Sequence, residues 1–72
     1  MHFYCMEVKY IEIVIALPEE VIKKYNYTPY SWIPNEGTVI RLDSGKYNGL
    51  YKVTTVEYNE ATQTVKIWIK EF

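Results

Sequence analysis

Apolar and polar residues alternate along most of this 72-residue chain, the period of strands rather than helices. Residues 3–17, FYCMEVKYIEIVIAL, hold eight Val, Ile, Tyr or Phe, shapes that suit a pleated surface. Up to residue 10 the apolar positions are even (Tyr4, Met6, Val8, Tyr10), and afterwards they are odd (Ile11, Ile13, Ile15, Leu17). A strand that changes phase this way is expected to carry a bulge or bend near residue 10. GTVIRL, residues 37–42, predicts a second strand, closed by the turn residues Asp43, Ser44 and Gly45. A third follows in YNGLYKVTTVEY, residues 47–58, with the tight-turn dipeptide Asn48-Gly49 at its start. Within it Tyr51 and Val53 are out of phase with Val56 and Tyr58, so a second bulge is expected at Thr54-Thr55. NEATQ, residues 59–63, reads as a hairpin loop leading to TVKIWIKEF. In that last strand Val65, Ile67 and Ile69 face one way, and Lys66, Trp68 and Lys70 the other.

PEEVIKKY, residues 18–25, breaks the alternation and carries helix signals. Pro18 suits the first helical position, Glu19 and Glu20 the positive end of the dipole, and Lys23 and Lys24 the negative end. Glu19 with Lys23 and Glu20 with Lys24 are i,i+4 pairs, and Val21, Ile22 and Tyr25 would share one helical face. Two turns cannot stand alone, so such a helix must dock on its surroundings. Short strands joined by tight turns, with two strands that bend, predict a small closed barrel. The chain is a single domain, residues 1–72, with the helix and the loop after it forming an insertion over 18–32.

That loop is unusual in composition. Between Tyr25 and Trp32 lie four aromatic residues, and no charged residue occurs from Tyr25 to Pro34. Tyrosine mixed with Ser, Asn and Thr supplies contact area at low entropy cost, as binding loops do, and depletion of charge suits the centre of an interface. Trp32, next to Ile33-Pro34, and Tyr25 are expected to anchor the loop, with Tyr27 and Tyr30 presented to a partner. Tyr27, Tyr30 and Trp32, with Lys23 and Lys24 on the helix, form the candidate contact surface.

Bulk properties exclude more than they assign. A domain this short buries only about 60% of its unfolded surface and usually needs a staple. One cysteine, Cys5, and one histidine, His2, provide neither an internal disulfide nor a structural zinc site, so a homo-oligomer is the expected remedy. The long apolar first strand is the expected pairing element across a two-fold axis. Net charge is −1, giving no bulk attraction to nucleic acid or anionic membrane. The longest apolar run, Ile13–Leu17, is far below the roughly 20 residues of a membrane span, and Glu7, Lys9 and Glu12 interrupt any signal-peptide core. A lone thiol without an export signal points to the cytoplasm.

Catalysis has no visible machinery, and neither a metal nor a cofactor is implied. His2 and Cys5, three apart in a strand, point to opposite faces; Asp43 sits in a turn, and Glu57 and Glu60 flank a hairpin. The alternative surface is the outward face of the last strand, Lys66, Trp68 and Lys70, joined by Arg41 and Lys52 from strands expected to adjoin it. An aromatic residue between cations is how single-strand binders stack bases and track phosphates. Residues 41–72 balance five basic against four acidic side chains, however, and a nucleic-acid channel needs several uncompensated cations.

Residues 33–69 can be written I-P-x-E-G-x-x-I-x-L-x-x-G-x-Y…Y-x-V-x-x-V…V-x-I-x-I, carried by Ile33-Pro34, Gly37, Ile40, Leu42, Tyr51, Val53, Val56, Val65, Ile67 and Ile69. The pattern resembles that of short phage and prophage proteins with SH3-like barrels, with Leu17-Pro18 standing where their first strand ends. The resemblance implies an SH3-like antiparallel barrel of phage or mobile-element origin, acting in the host cytoplasm. It carries over no functional residue, because the matched positions are turn and core residues. Together these readings predict a non-enzymatic protein that occludes a protein partner, such as a host or defence enzyme, through its helix and aromatic loop. Two alternatives stand beside this: a homo-oligomer sequestering a small nucleotide, its tyrosines stacked on a base and Arg41 or a lysine on phosphate, and a single-stranded nucleic-acid binder.

Overall fold

The computed structural model describes residues 7–16 and 18–72, apart from the side chain of Ser44. His2, Cys5 and the phase positions Tyr4, Met6 and Leu17 therefore lie outside the described residues. Five strands form one sheet: β1 (Tyr10–Ile15), β2 (Glu20–Asn26), β3 (Val39–Ser44), β4 (Tyr47–Asn59) and β5 (Thr64–Glu71). Their order is β2-β1-β5-β4-β3. The β1–β5 pair is parallel, and the other three pairs are antiparallel. A hairpin, β1–β2, is thus set beside a meander, β3–β4–β5, and the sheet curls into half a barrel.

The parallel seam is the spine of the core. Ile11 lies beside Val65, Ile13 beside Ile67 and Ile15 beside Ile69, and all six are buried. Fully burying a side chain of this size stabilises by about 1.5–3 kcal/mol, so these rows hold the two halves of the sheet together. Leu42, Tyr51 and Val53 complete the buried face from the meander. Val14 points the other way and is also buried, beside Val21 and Trp68 in the two ladders. A central strand covered on both faces reads as an unbroken apolar run, which is what Ile13-Val14-Ile15 is.

The phase change expected in β4 is present, and the one expected near residue 10 can be followed only from Val8 onward, since Tyr4 and Met6 lie outside the described residues. The N–H groups of Lys9 and Tyr10 both donate to the carbonyl of Gln63, at 2.8 and 3.2 Å. Two residues set against one in this way let even-numbered Val8 and odd-numbered Ile11 pack against the same core. In β4 the register slips between Val53 and Thr55, and the Thr54 hydroxyl donates to the Trp68 carbonyl at 3.3 Å. The strand bends there, so Val53 and Val56 both reach the core.

No helix occurs among the described residues, and the helix expected over 18–25 is replaced by a turn and strand β2. The helical signals were real but small, since each i,i+4 ion pair contributes only a few tenths of a kcal/mol. Pairing with β1 satisfies a whole backbone edge of the central strand, and Val21, Ile22 and Tyr25 suit a pleated surface. The charges are used across the ladder instead. Lys24 stands opposite Glu12, with Nζ 3.6 Å from the carboxylate and 4.9 Å from the centre of the Tyr10 ring. A register shift at Ile13/Val14 turns Ile22 against the core.

The turn between β3 and β4 is also displaced. It is the two-residue loop Gly45-Lys46, with Gly45 at a φ of 58° that glycine adopts without strain. Asn48 and Gly49 lie inside β4, where the Asn48 amide donates to the Gly45 carbonyl at 2.7 Å and braces the turn. β1 has neighbours on both sides, so the expected pairing of the first strand with a second copy has no edge to use. Among the described residues the free edges of the sheet are β2 and β3.

Candidate interaction surfaces

Residues 27–38 carry the chain from one free edge of the sheet to the other. At the entry the Tyr27 N–H donates to the Lys9 carbonyl at 2.9 Å, continuing the β1–β2 ladder by one rung. A hydroxyl-braced turn follows. The Thr28 N–H donates to the Ser31 hydroxyl at 3.0 Å, the Ser31 N–H to the Thr28 carbonyl at 2.9 Å, and the Tyr30 N–H to the Thr28 hydroxyl at 3.2 Å. Such side-chain bonds are the reason Ser and Thr favour turns. Pro34 is buried, and Ile33 packs on the core. At the exit the Gly37 N–H donates to the Val53 carbonyl, and the Val53 N–H to the Thr38 carbonyl, both at 2.8 Å.

The aromatic side chains divide differently from the expected pattern. Tyr27 is half-buried and packs on the core, whereas Trp32 is 66% exposed and Tyr30 96% exposed. Tyr25 stands opposite Ile11 in the ladder and is largely exposed. The anchors are therefore Tyr27, Ile33 and Pro34, and the presented residues are Tyr30 and Trp32. The cause lies in the ladder. Residue 27 still follows the β2 alternation and points inward, while residues 30 and 32 fall after the Thr28–Ser31 turn has taken the chain off the sheet. Of the two lysines assigned to this surface, Lys24 is held by Glu12 and Tyr10, while Lys23 is exposed with no ion pair among the described residues.

The alternative surface is brought together by the register. Lys52 on β4 is directly opposite Lys70 on β5, and Arg41 on β3 is diagonal to Lys52 through its own partner Leu50. None of the three makes an ion pair among the described residues. Trp68 and Lys66 share that face but are engaged. The Trp68 indole N–H donates to Glu57 at 3.0 Å, and Lys66, opposite Glu57, sits 5.8 Å from the indole centre. Trp68 is half-buried beside Val14, so its ring is a cover for the outer layer more than a stacking platform.

Between the start of β2 and the β3–β4 turn the half-barrel leaves a cleft of about 680 Å³, lined by Ile15, Pro18, Tyr47, Thr54 and Ile69. Two contacts to Glu20 span it. The Tyr47 hydroxyl donates to the Glu20 carboxylate, which also receives Lys46 at 3.8 Å. The bond to Glu20 holds the Tyr47 proton and raises its pKa above 10. Sequence reading placed Glu20 on the expected helix and Tyr47 at the start of a strand and did not bring them together with Lys46, because nothing in their spacing shows that the two edges of the sheet approach. Among the described residues no three His, Cys, Asp or Glu side chains gather as metal ligands would, and no helix is long and apolar enough to cross a membrane. Comparison with protein-family models, with curated proteins and with solved structures found no match.

Proposed function

We propose that the protein is a non-enzymatic binding module that occludes a protein partner with its crossover loop, using Tyr30 and Trp32 as the contacts. One observation carries this reading. Two large aromatic side chains stand 96% and 66% exposed on a loop whose turn is hydrogen-bonded and whose ends are pinned to the sheet. Exposed singly, such residues need no explanation; held together on a braced loop that is free of charge as far as Pro34, they match the rigid aromatic anchors that dominate binding energy. Pinning lowers the ordering cost of association, which raises affinity without adding contacts. The resemblance of residues 33–69 to phage proteins with SH3-like barrels adds to the proposal a host enzyme as the class of partner.

Affinity capture from host lysate tests it with paired baits, the native protein and the Tyr30→Ala/Trp32→Ala variant. A partner retained by the first and lost by the second, at unchanged melting temperature, is the expected result. A partner retained equally by both removes the loop from the interface. The row Arg41, Lys52 and Lys70, without ion pairs among the described residues, favours a second reading, binding of single-stranded nucleic acid on the outer face of the meander. Fluorescence anisotropy with a labelled oligonucleotide separates the two. Binding that persists at physiological salt and falls with Lys52→Ala and Lys70→Ala would place the function there.

A further inference from the structure

The two free edges of the sheet differ in how open they are. Edge strands template pairing with other chains unless lysines, bulges or short length blunt them. β2 carries Lys23 and Lys24 side by side and a register shift at its middle, and a bulged edge does not accept a regular ladder. β3 runs Val39–Ser44 against β4 with no register shift. Its outward backbone groups follow from the turn. Ser44 and Tyr47 close the two-residue loop and so exchange hydrogen bonds, and alternation then directs Leu42 and Ile40 toward β4. Thr38, whose carbonyl accepts from Val53, fits the same parity. The N–H and C=O groups of Val39, Arg41 and Asp43 therefore face away from the sheet, and no described residue bonds to them there.

We infer that β3 pairs with β3 of a second copy, antiparallel and centred on Leu42. Centring there sets Arg41 of each copy opposite Asp43 of the other, and both residues are exposed on the outer face. The two symmetric Arg41–Asp43 pairs exchange about four backbone hydrogen bonds. Shifting the centre to Arg41 or to Asp43 instead sets like charges opposite each other, which destabilises a ladder. Centring on Ile40 pairs Arg41 with Val39 and leaves Asp43 beyond the strand. Only the Leu42 register joins opposite charges twice, and it is the self-complementary arrangement that a two-fold interface requires. The outcome is a sheet continuous through both copies, its curled inner faces contiguous at Leu42. This pairing is independent of the loop reading, since it uses the strand edge and leaves Tyr30 and Trp32 exposed.

Sedimentation velocity of the full chain over a concentration series tests the inference. The expected species has twice the 8.6 kDa chain mass. Asp43→Arg or Arg41→Asp alone reverses one charge in each symmetric pair, so each substitution is felt twice and should weaken association by about tenfold or more. The combined exchange, Arg41→Asp with Asp43→Arg, restores the opposite pairing and should restore the native mass. Amide hydrogen exchange supplies a second readout, with the Arg41 and Asp43 N–H groups becoming slower as concentration rises. A monomer at every concentration overturns the inference. So does a dimer indifferent to either single exchange, a double exchange no better than the singles, or exchange rates at Arg41 and Asp43 that ignore concentration.

Discussion

Strand β5 and the crossover segment 27–38 are both rich in large apolar side chains and dispose of them in opposite ways. Val65, Ile67 and Ile69 are at most 1% exposed, whereas Tyr30 and Trp32 are 96% and 66% exposed. The difference does not lie in hydrophobicity, since tryptophan is among the largest apolar side chains. It lies in backbone partners. β5 is paired on both sides, so every second residue is aimed at the concave face and meets Ile11, Ile13 and Ile15 there. The crossover is tied at its ends, and its middle bonds only to itself, so no neighbour dictates where Tyr30 and Trp32 point. A small domain can leave two aromatic side chains in water only if the rest of its core suffices. That makes the contrast measurable.

The largest effect should come from the buried end of the comparison. Ile67→Ala removes a side chain packed at the centre of the parallel seam and should cost about 2–5 kcal/mol, enough to unfold much of so marginal a domain. Chemical denaturation reads this directly, and Ile67→Val, at about 0.5–1.5 kcal/mol, provides a variant that still folds. Tyr27→Ala falls in between, because its ring is half-buried on the core; a loss of about 1–2 kcal/mol is expected. Should Tyr27→Ala prove silent, the anchoring of the loop rests on Ile33 and Pro34 alone. Trp32→Ala and Tyr30→Ala should each change stability by less than about 0.5 kcal/mol, as surface substitutions do. A sharp drop in melting temperature for Trp32→Ala would mean that this ring packs on the domain, and the contrast with β5 would disappear.

The smallest effect concerns the tie across the cleft. The Tyr47 hydroxyl keeps its proton more tightly in the folded protein than in the unfolded chain, chiefly because it donates to Glu20. A pKa raised on folding contributes stability that is complete below pH about 10 and is lost as pH climbs through the folded-state value. Ultraviolet titration should therefore find a tyrosine ionising above 10, and Glu20→Gln should return it toward the ordinary value. A titration unchanged by Glu20→Gln would show that the two edges of the half-barrel are not joined there in solution.

Legibility in the sequence followed the strength of the local pattern. The meander from Val39 to Glu71 was readable strand by strand, including the bend at Thr54-Thr55, because a period of two and its phase errors survive in any context. The turn within it was readable to within a residue or two, since both Gly45 and Gly49 offer positive φ and only pairing selects between them. β2 was misread, because Pro18 and the Glu–Lys spacing fit a helix as well as they fit a charged edge strand. On the candidate surface, Tyr30 was assigned to the exposed set and is exposed, while Tyr27 and Trp32 exchange roles.

What the amino-acid sequence determined by itself is the alternation of each strong strand, the positions where that alternation must slip, and a charge-free aromatic segment lying outside the pattern. These are local properties, carried by side-chain shape and by the preferences of glycine, proline and hydroxyl residues. The tertiary structure alone decided that β1 sits at the centre beside β5, that residues 20–26 become its second neighbour, and that Lys52 faces Lys70 while Glu20 reaches Tyr47. The physical reason is that a strand is incomplete until its backbone finds partners. Which partners it finds depends on segments remote in the chain, and no pattern within a strand encodes them.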